Sequence, residues 1–294
     1  MVSGIWLPIV TPFRSGEVDL EALRYLAAHY LRTGISGIVA LGTTGEAALL
    51  SEAERLAVVQ TLTDVLGSRL PVMIGVGGPD TRQVIREIQR YEHWDCAGFL
   101  VSAPSYICPD QSGIRWHFEQ VAQATRRSVV LYNVPHRTGV NIECETVAQL
   151  LEHDNIVAIK ECVPAHFSPL STLPLDTLCG VDEAFLDCLA VGGTGGILAS
   201  SHVLADLLVE VQDLATDNRP AEARMLFDRL IPTIQLLFSA PNPAAIKSLL
   251  AFDHPVSDET RMPIAPASAR LVERLRSARD QLQDLRAEFE LSAQ

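Results

Sequence analysis

A lysine closes the run Ile156-Val157-Ala158-Ile159-Lys160-Glu161, which is bounded by Asp154-Asn155 before it and Pro164 after it. A short apolar run between breakers is how a buried parallel strand reads. A lysine at its end is costly, because the ammonium loses hydration and has no helix face to lie along. Two readings compete. In one, Lys160 sends its head into solvent along its aliphatic stem, or pairs with Glu161. In the other it is a nucleophile that forms an imine with a carbonyl substrate. The strand by itself favours the first.

Imine chemistry makes further demands, and other residues in the chain could meet them. A free lysine is neutral in only about one part in 2,500 at pH 7, so a nucleophilic one must be desolvated. Loss of water from the carbinolamine needs a proton shuttle, and the hydroxyl of Tyr132 suits that role. A keto-acid carboxylate needs donors. Gly42-Thr43-Thr44-Gly45-Glu46 offers two hydroxyls and a turn whose glycines let backbone N–H groups approach a ligand. Arg137, in Tyr132-Asn133-Val134-Pro135-His136-Arg137-Thr138-Gly139, could hold a second carboxylate by a bidentate contact. Each has a plainer reading: Thr43 and Thr44 in a turn without ligand, Tyr132 in the core, Arg137 in a surface ion pair. What separates the readings is whether the chain brings these residues together.

The pattern of elements says that it does. Apolar runs over 4–10, 37–41, 71–76, 98–102, 128–133, 156–160, 177–181 and 195–200 read as strands. Helical segments over 19–33, 51–67, 80–95, 109–125, 142–152, 168–173 and 183–191 lie between them. Asp19 is a plausible N-cap, and Ser51-Glu52-Ala53-Glu54 carries a capping-box pattern. Eight strand-then-helix units predict parallel pairing and an α/β fold, a (β/α)8 TIM barrel rather than an open doubly wound sheet. The nearest approach to a dinucleotide-binding turn, Gly75-Val76-Gly77-Gly78, lacks the third glycine at the required offset. From about Leu204 the chain reads as helical, with segments over 221–238, 243–252 and 267–291. The expected division is a catalytic barrel over 1–225 and a C-terminal helical region over 226–294. In such a barrel the active site lies at the carboxyl ends of the strands, where Thr43, Thr44, Tyr106, Tyr132, Arg137, Lys160, Gly180 and Ile197 all fall.

Composition narrows the function classes. The 294 residues are 48% hydrophobic, and mean hydropathy is +0.18, so a large core can be buried. A net charge of −13 with no basic run argues against nucleic acid as partner. No apolar stretch reaches the roughly 18 residues of a membrane helix. Residues 1–10 lack the basic and apolar regions of a signal peptide. Cys96, Cys108, Cys144, Cys162, Cys179 and Cys188 form no CxxC pair and read as reduced thiols, so a cytoplasmic location is expected. Cys162 reads as packing. Eight histidines without HExxH spacing signal no zinc site.

The constellation closely resembles the dihydrodipicolinate synthase and N-acetylneuraminate lyase superfamily of class I aldolases. The resemblance runs from GIWLPIVTPF at Gly4 to the Asn242-Pro243 region, through GTTGE, YNVPHRTG and IVAIKE. It implies that Lys160 forms an imine with pyruvate. It also implies that Tyr132, Thr43 and Tyr106 relay protons, with Tyr106 reaching in from a neighbouring subunit. Thr44 would hold the pyruvate carboxylate, Gly180 and Ile197 would line its site through backbone carbonyls, and Arg137 would guide the carboxylate of aspartate semialdehyde. The tyrosine segment with Arg137 looks like the synthases, on the route to diaminopimelate and lysine. Homotetramers built from tight dimers, without metal or organic cofactor, are implied as well.

Departures from the pattern bear on the second substrate. Gly180-Val181-Asp182-Glu183 is more similar to the sugar-acid lyases, and Ile107-Cys108 replaces a more polar pair. An aldolase acting on a sugar acid or hydroxy-oxo acid is therefore the alternative enzyme, and an inactive keto-acid-binding paralogue the alternative of another class. Positions matching the family's lysine effector site are Glu52, Arg55, Pro79 and Gln83, with Ser105 in place of an aromatic. Weak or absent inhibition by L-lysine is expected.

Overall fold

Eight parallel strands close on themselves in chain order: β1 (Gly4–Pro8), β2 (Gly37–Ala40), β3 (Val72–Val76), β4 (Gly98–Ser102), β5 (Ser128–Asn133), β6 (Ile156–Glu161), β7 (Asp176–Cys179) and β8 (Gly195–Ile197). The computed structural model describes residues 2–292, with side chains to 288. The expected (β/α)8 TIM barrel with C-terminal helices is the fold found.

Alternation along the strands sorts the apolar residues into two layers. One side chain from each strand points inward: Trp6, Val39, Met73, Leu100, Val130, Ala158, Leu178 and Ile197 fill the barrel. Their neighbours, among them Leu7, Ile38, Ile74, Phe99, Leu131 and Ile159, point outward and pack beneath the helices. Lys160 stands two residues beyond Ala158, and Tyr132 two beyond Val130. Both therefore point inward, one layer nearer the carboxyl ends. The pairing register sets Tyr132 beside Lys160. A bulge lies between the pairs Val129–Ile156 and Val130–Ala158, where β6 carries an extra residue. It puts Ile156 in the outer layer and Ala158 in the inner one.

The helices between strands are α1 (Leu20–Tyr30), α2 (Glu52–Leu66), α3 (Thr81–Tyr91), α4 (Gln111–Ala124), α5 (Pro135–Thr138), α6 (Cys144–Leu150), α7 (Phe167–Leu170) and α8 (Phe185–Ala190). Their starts follow the sequence. Asp19 accepts from the N–H of Ala22, and Asp110 from that of Gly113. Ser51 and Glu54 form the reciprocal capping box expected of them. The last strand is shorter than its apolar run suggests. Leu198 N–H still donates to the Trp6 carbonyl at 3.2 Å, but the N–H of Ser200 is taken by Asp182 at 2.7 Å, and α9 (Ser201–Thr216) begins at once. A small hairpin, Phe13–Arg14 with Glu17–Val18, and the helix α5 were not read from sequence. After α9 come α10 (Pro220–Leu237), α11 (Ala244–Asp253) and α12 (Ala269–Ser292). Leu275, Leu282 and Leu285 on α12 are buried in the same core as the outer strand faces.

Candidate active site

The carboxyl end of the barrel holds a cavity of about 200 Å³. Its lining includes Thr43, Thr44, Tyr132, Arg137, Lys160, Gly180 and Ile197, so seven of the eight residues singled out from sequence meet there. The eighth, Tyr106, does not line this chain's own cavity. It is 92% exposed, in a loop where it and Cys108 have φ of 72° and 47°. A non-glycine residue held at positive φ is strained, and such strain concentrates at functional sites.

Lys160 is 7% exposed, and its Nζ lies 4.4 Å from the centre of the Tyr132 ring. It has no ion-pair partner among the described residues, which disposes of the pairing with Glu161. That carboxylate faces the other way, fully buried. It accepts from Asn133 Nδ2 (2.9 and 3.0 Å) and the N–H of Val163 (2.6 Å), and lies 3.3 Å from His166 Nδ1. Burial raises the Glu161 pKa above the ordinary carboxylate value. Asn133 in turn accepts from the N–H of Ile142. This network pins the tips of β5 and β6 together, and so the spacing of Tyr132 and Lys160.

Gly180 makes room for the lysine. A Cβ there would sit 2.5 Å from Cys162 Sγ and 3.1 Å from Lys160 Cε. The Gly180 carbonyl accepts from the Cys162 thiol at 3.3 Å. Burial pushes that thiol up to about 11, which keeps it protonated and suits packing rather than nucleophilic attack.

The GTTGE turn is held from several sides. Thr11 Oγ1 donates to the Gly45 carbonyl, and the N–H groups of Gly45 and Glu46 close back on Gly42 and Thr43. A Cβ on Gly75 would come within 2.7 Å of the Leu41 carbonyl, so that glycine serves strand-to-loop packing. The C-terminal helices supply the remaining anchors, which sequence reading missed. Asn242 Nδ2 donates to Thr44 Oγ1 at 2.9 Å, so the hydroxyl proton of Thr44 is free for another acceptor. Glu46, fully buried, pairs with the equally buried Lys247 and accepts from the N–H of Arg261. Asn242-Pro243 marked one end of the family resemblance, but nothing in its spacing assigned it a partner.

Arg137 is exposed and its side chain has no hydrogen bond or ion pair among the described residues, so its guanidinium is open to a ligand. His136 beside it is held below the ordinary imidazole pKa by partial burial, with the charges of Arg137 and Lys160 adding to the effect. Across the mouth, Asp182 is buried and its pKa raised by desolvation. Glu183 accepts from Gln235 Nε2 at 3.0 Å, and Phe238, 40% exposed, completes the rim. Among the described residues no group of three or more His, Cys, Asp or Glu side chains could hold a metal ion, and no helix is long and apolar enough to cross a membrane.

A family model described as the dihydrodipicolinate synthetase family matches residues 1–282. The chain belongs to this family. Among its relatives, 4-hydroxy-tetrahydrodipicolinate synthase 2 of Clostridium acetobutylicum is 36% identical over 281 residues, 93% of this chain and 98% of the relative. The structure of the 4-hydroxy-tetrahydrodipicolinate synthase of the thermoacidophilic methanotroph Methylacidiphilum fumariolicum SolV matches with a TM-score of 0.95 at 31% identity, covering 99% of both chains. The chloride-inhibited dihydrodipicolinate synthase of Acinetobacter baumannii, solved in complex with pyruvate, matches with a TM-score of 0.90 at 29% identity, covering 95% of this chain and 98% of that one.

Proposed function

We propose that this chain is a 4-hydroxy-tetrahydrodipicolinate synthase, a lyase that condenses pyruvate with L-aspartate semialdehyde through an imine on Lys160. The observation that carries the proposal is a buried, unpaired lysine facing inward beside a tyrosine, in a cavity that also holds two threonine hydroxyls and a free guanidinium. The Lys160 amine adds to the keto carbon of pyruvate, and water leaves with a proton passed through Tyr132. Thr44, its hydroxyl oxygen occupied by Asn242, donates to the pyruvate carboxylate. Loss of a methyl proton gives the enamine, whose carbon attacks the aldehyde. Arg137 holds the carboxylate of the semialdehyde. The amino group of that substrate then attacks the imine carbon, closes the ring and frees Lys160. Thr43 and Tyr106 extend the proton relay, with Tyr106 supplied by a second copy of the chain. Its near-complete exposure within one chain is in keeping with that origin. A homotetramer in the cytoplasm, with no cofactor, is part of the same proposal.

One observation favours a second reading, cleavage of a sugar acid or hydroxy-oxo acid by the same lysine. Asp182 and Glu183 both line the cavity, where hydroxyl groups could meet them. Asp182 accepts from the Ser200 N–H through Oδ1 and Glu183 from Gln235 through Oε2, so one oxygen of each carboxylate is left for that task. The two readings part in a steady-state assay of pyruvate against a panel of aldehydes, with Arg137→Ala beside the wild type. The synthase reading expects turnover with L-aspartate semialdehyde and its loss in Arg137→Ala. Turnover confined to polyhydroxy aldehydes, indifferent to Arg137, would replace it with the second.

A further inference from the structure

A second opening lies away from the barrel mouth. A groove of about 340 Å³ lies in the outer helix layer between α1, the start of α9, α11 and α12, and shares no lining residue with the cavity around Lys160. That volume is in the range of small-ligand sites. Two ion pairs build its walls. Arg286 donates to Asp206 and to the Val203 carbonyl, tying α12 to α9. Arg279 pairs with Asp253, tying α12 to α11. Leucines 249, 250 and 282 supply an apolar floor.

Other polar groups of the lining are left over. His29, Arg32 and Gln283 have no side-chain hydrogen bond or ion pair among the described residues. The His29 ring stands 4.6 Å from that of His254. Burial holds His29 below its ordinary imidazole value, with the neighbouring His254 and Arg32 adding to the effect. Three guanidiniums against two carboxylates leave the lining positive even with both imidazoles neutral, in a chain whose net charge is −13. Asp253 and Asp206 are taken by Arg279 and Arg286, which leaves the Arg32 guanidinium and the His29 ring facing the space with no ion-pair partner among the described residues.

We propose that this groove binds a small organic oxyanion, a polycarboxylate or a phosphate ester, with Arg32 and His29 as donors and the leucines beneath its carbon skeleton. The ion pairs on either side hold the walls apart so that the space persists without a ligand. The site stands apart from the proposed reaction and is tested independently of it.

Calorimetric titration of the full chain with citrate, and separately with inorganic phosphate, at fixed ionic strength, tests the assignment. Wild type should bind at least one probe saturably. Arg32→Glu, an exposed change outside the barrel mouth, should weaken that binding at least tenfold, and the fold is checked by an unchanged melting midpoint. His29→Gln should weaken it in the same direction, and decides the matter should Arg32→Glu fold poorly. Binding of citrate alone marks a polycarboxylate site, and binding of phosphate alone a phosphate site. Absence of saturable binding of either probe at about 10 mM, far above the concentration of a useful effector, overturns the proposal. So does binding that both substitutions leave unchanged.

Discussion

Replacing Lys247 by methionine tests how the C-terminal helices hold the GTTGE turn. Lys247 is 1% exposed and Glu46 2% exposed. The ammonium also donates to the Glu259 carbonyl at 2.9 Å and sits 4.2 Å above the Phe13 ring. Burial pulls the Lys247 pKa down to about 8 even against the opposing pull of Glu46, so desolvation outweighs attraction in this pair. Lys247→Met leaves the Glu46 carboxylate buried with the Arg261 N–H as its remaining donor. Stranding one member of a buried pair costs about 3–5 kcal/mol. With an unfolding entropy of about 2.1 cal/mol/K per residue, that lowers the melting midpoint by roughly 5–8 °C. Removing both charges in Lys247→Met/Glu46→Gln should recover most of the loss, because the desolvation cost goes with them. Calorimetric melting of the two single variants and the double variant gives the coupling directly. A Lys247→Met protein within 1 °C of wild type, or a double variant no more stable than the worse single, would refute the reasoning.

Other outcomes follow from the same geometry. Asn242→Ala frees the Thr44 hydroxyl to rotate, so the KM for pyruvate should rise about tenfold, the order of one lost hydrogen bond to a charged group. The KM for the aldehyde should hardly move, and steady-state kinetics separate the two. Tyr106→Phe should lower turnover by about 10²–10⁴, the span of a general acid–base group; unchanged turnover removes it from the relay. Acid should loosen the fold through His117 and His202, both pulled down to about 4 by burial. Between pH 6.5 and 4 the unfolded chain binds protons that these rings refuse, so stability falls with pH, by about 2 kcal/mol per ring at pH 5. The raised carboxyls of Glu161 and Asp182 act in the opposite sense. Denaturant titrations at pH 7.5 and 5.0 should therefore show a shallower pH dependence in His117→Gln than in wild type. L-Lysine at micromolar concentration should leave the rate unchanged, since Arg55 is tied to Glu87 and Glu52 to Arg90 at the matching positions.

Much of the fold was legible because strand periodicity and helix caps are local signals. Gly98–Ser102 and Ser128–Asn133 have the limits read from their apolar runs, and Ile156–Glu161 runs one residue past the 156–160 read from its own. Ser51 and Glu54 cap α2 as their spacing says. The gathering of Lys160, Tyr132, Thr43, Thr44 and Arg137 was legible because a closed parallel barrel brings all its strand ends to one rim. What was not legible depends on pairing. The bulge at Val157 is a property of two strands together, so β6 alone reads as regular. The early end of β8 depends on Asp182 capturing the Ser200 N–H across 18 residues of chain. Asn242 and Lys247 act on partners about 200 residues away, and no spacing rule reaches that far. Glu161 looked like a partner for Lys160, but adjacent strand residues face opposite sides of the sheet.

The central claim is a covalent bond between Lys160 and pyruvate. Wild-type chain incubated with pyruvate and sodium borohydride, digested and read by mass spectrometry, should carry one reduced pyruvate adduct, on the peptide that contains Lys160. Lys160→Arg should carry none, because a guanidinium stays protonated and cannot add to a carbonyl. Wild-type chain that emerges unmodified, or an adduct on Lys247 in place of Lys160, would contradict the account.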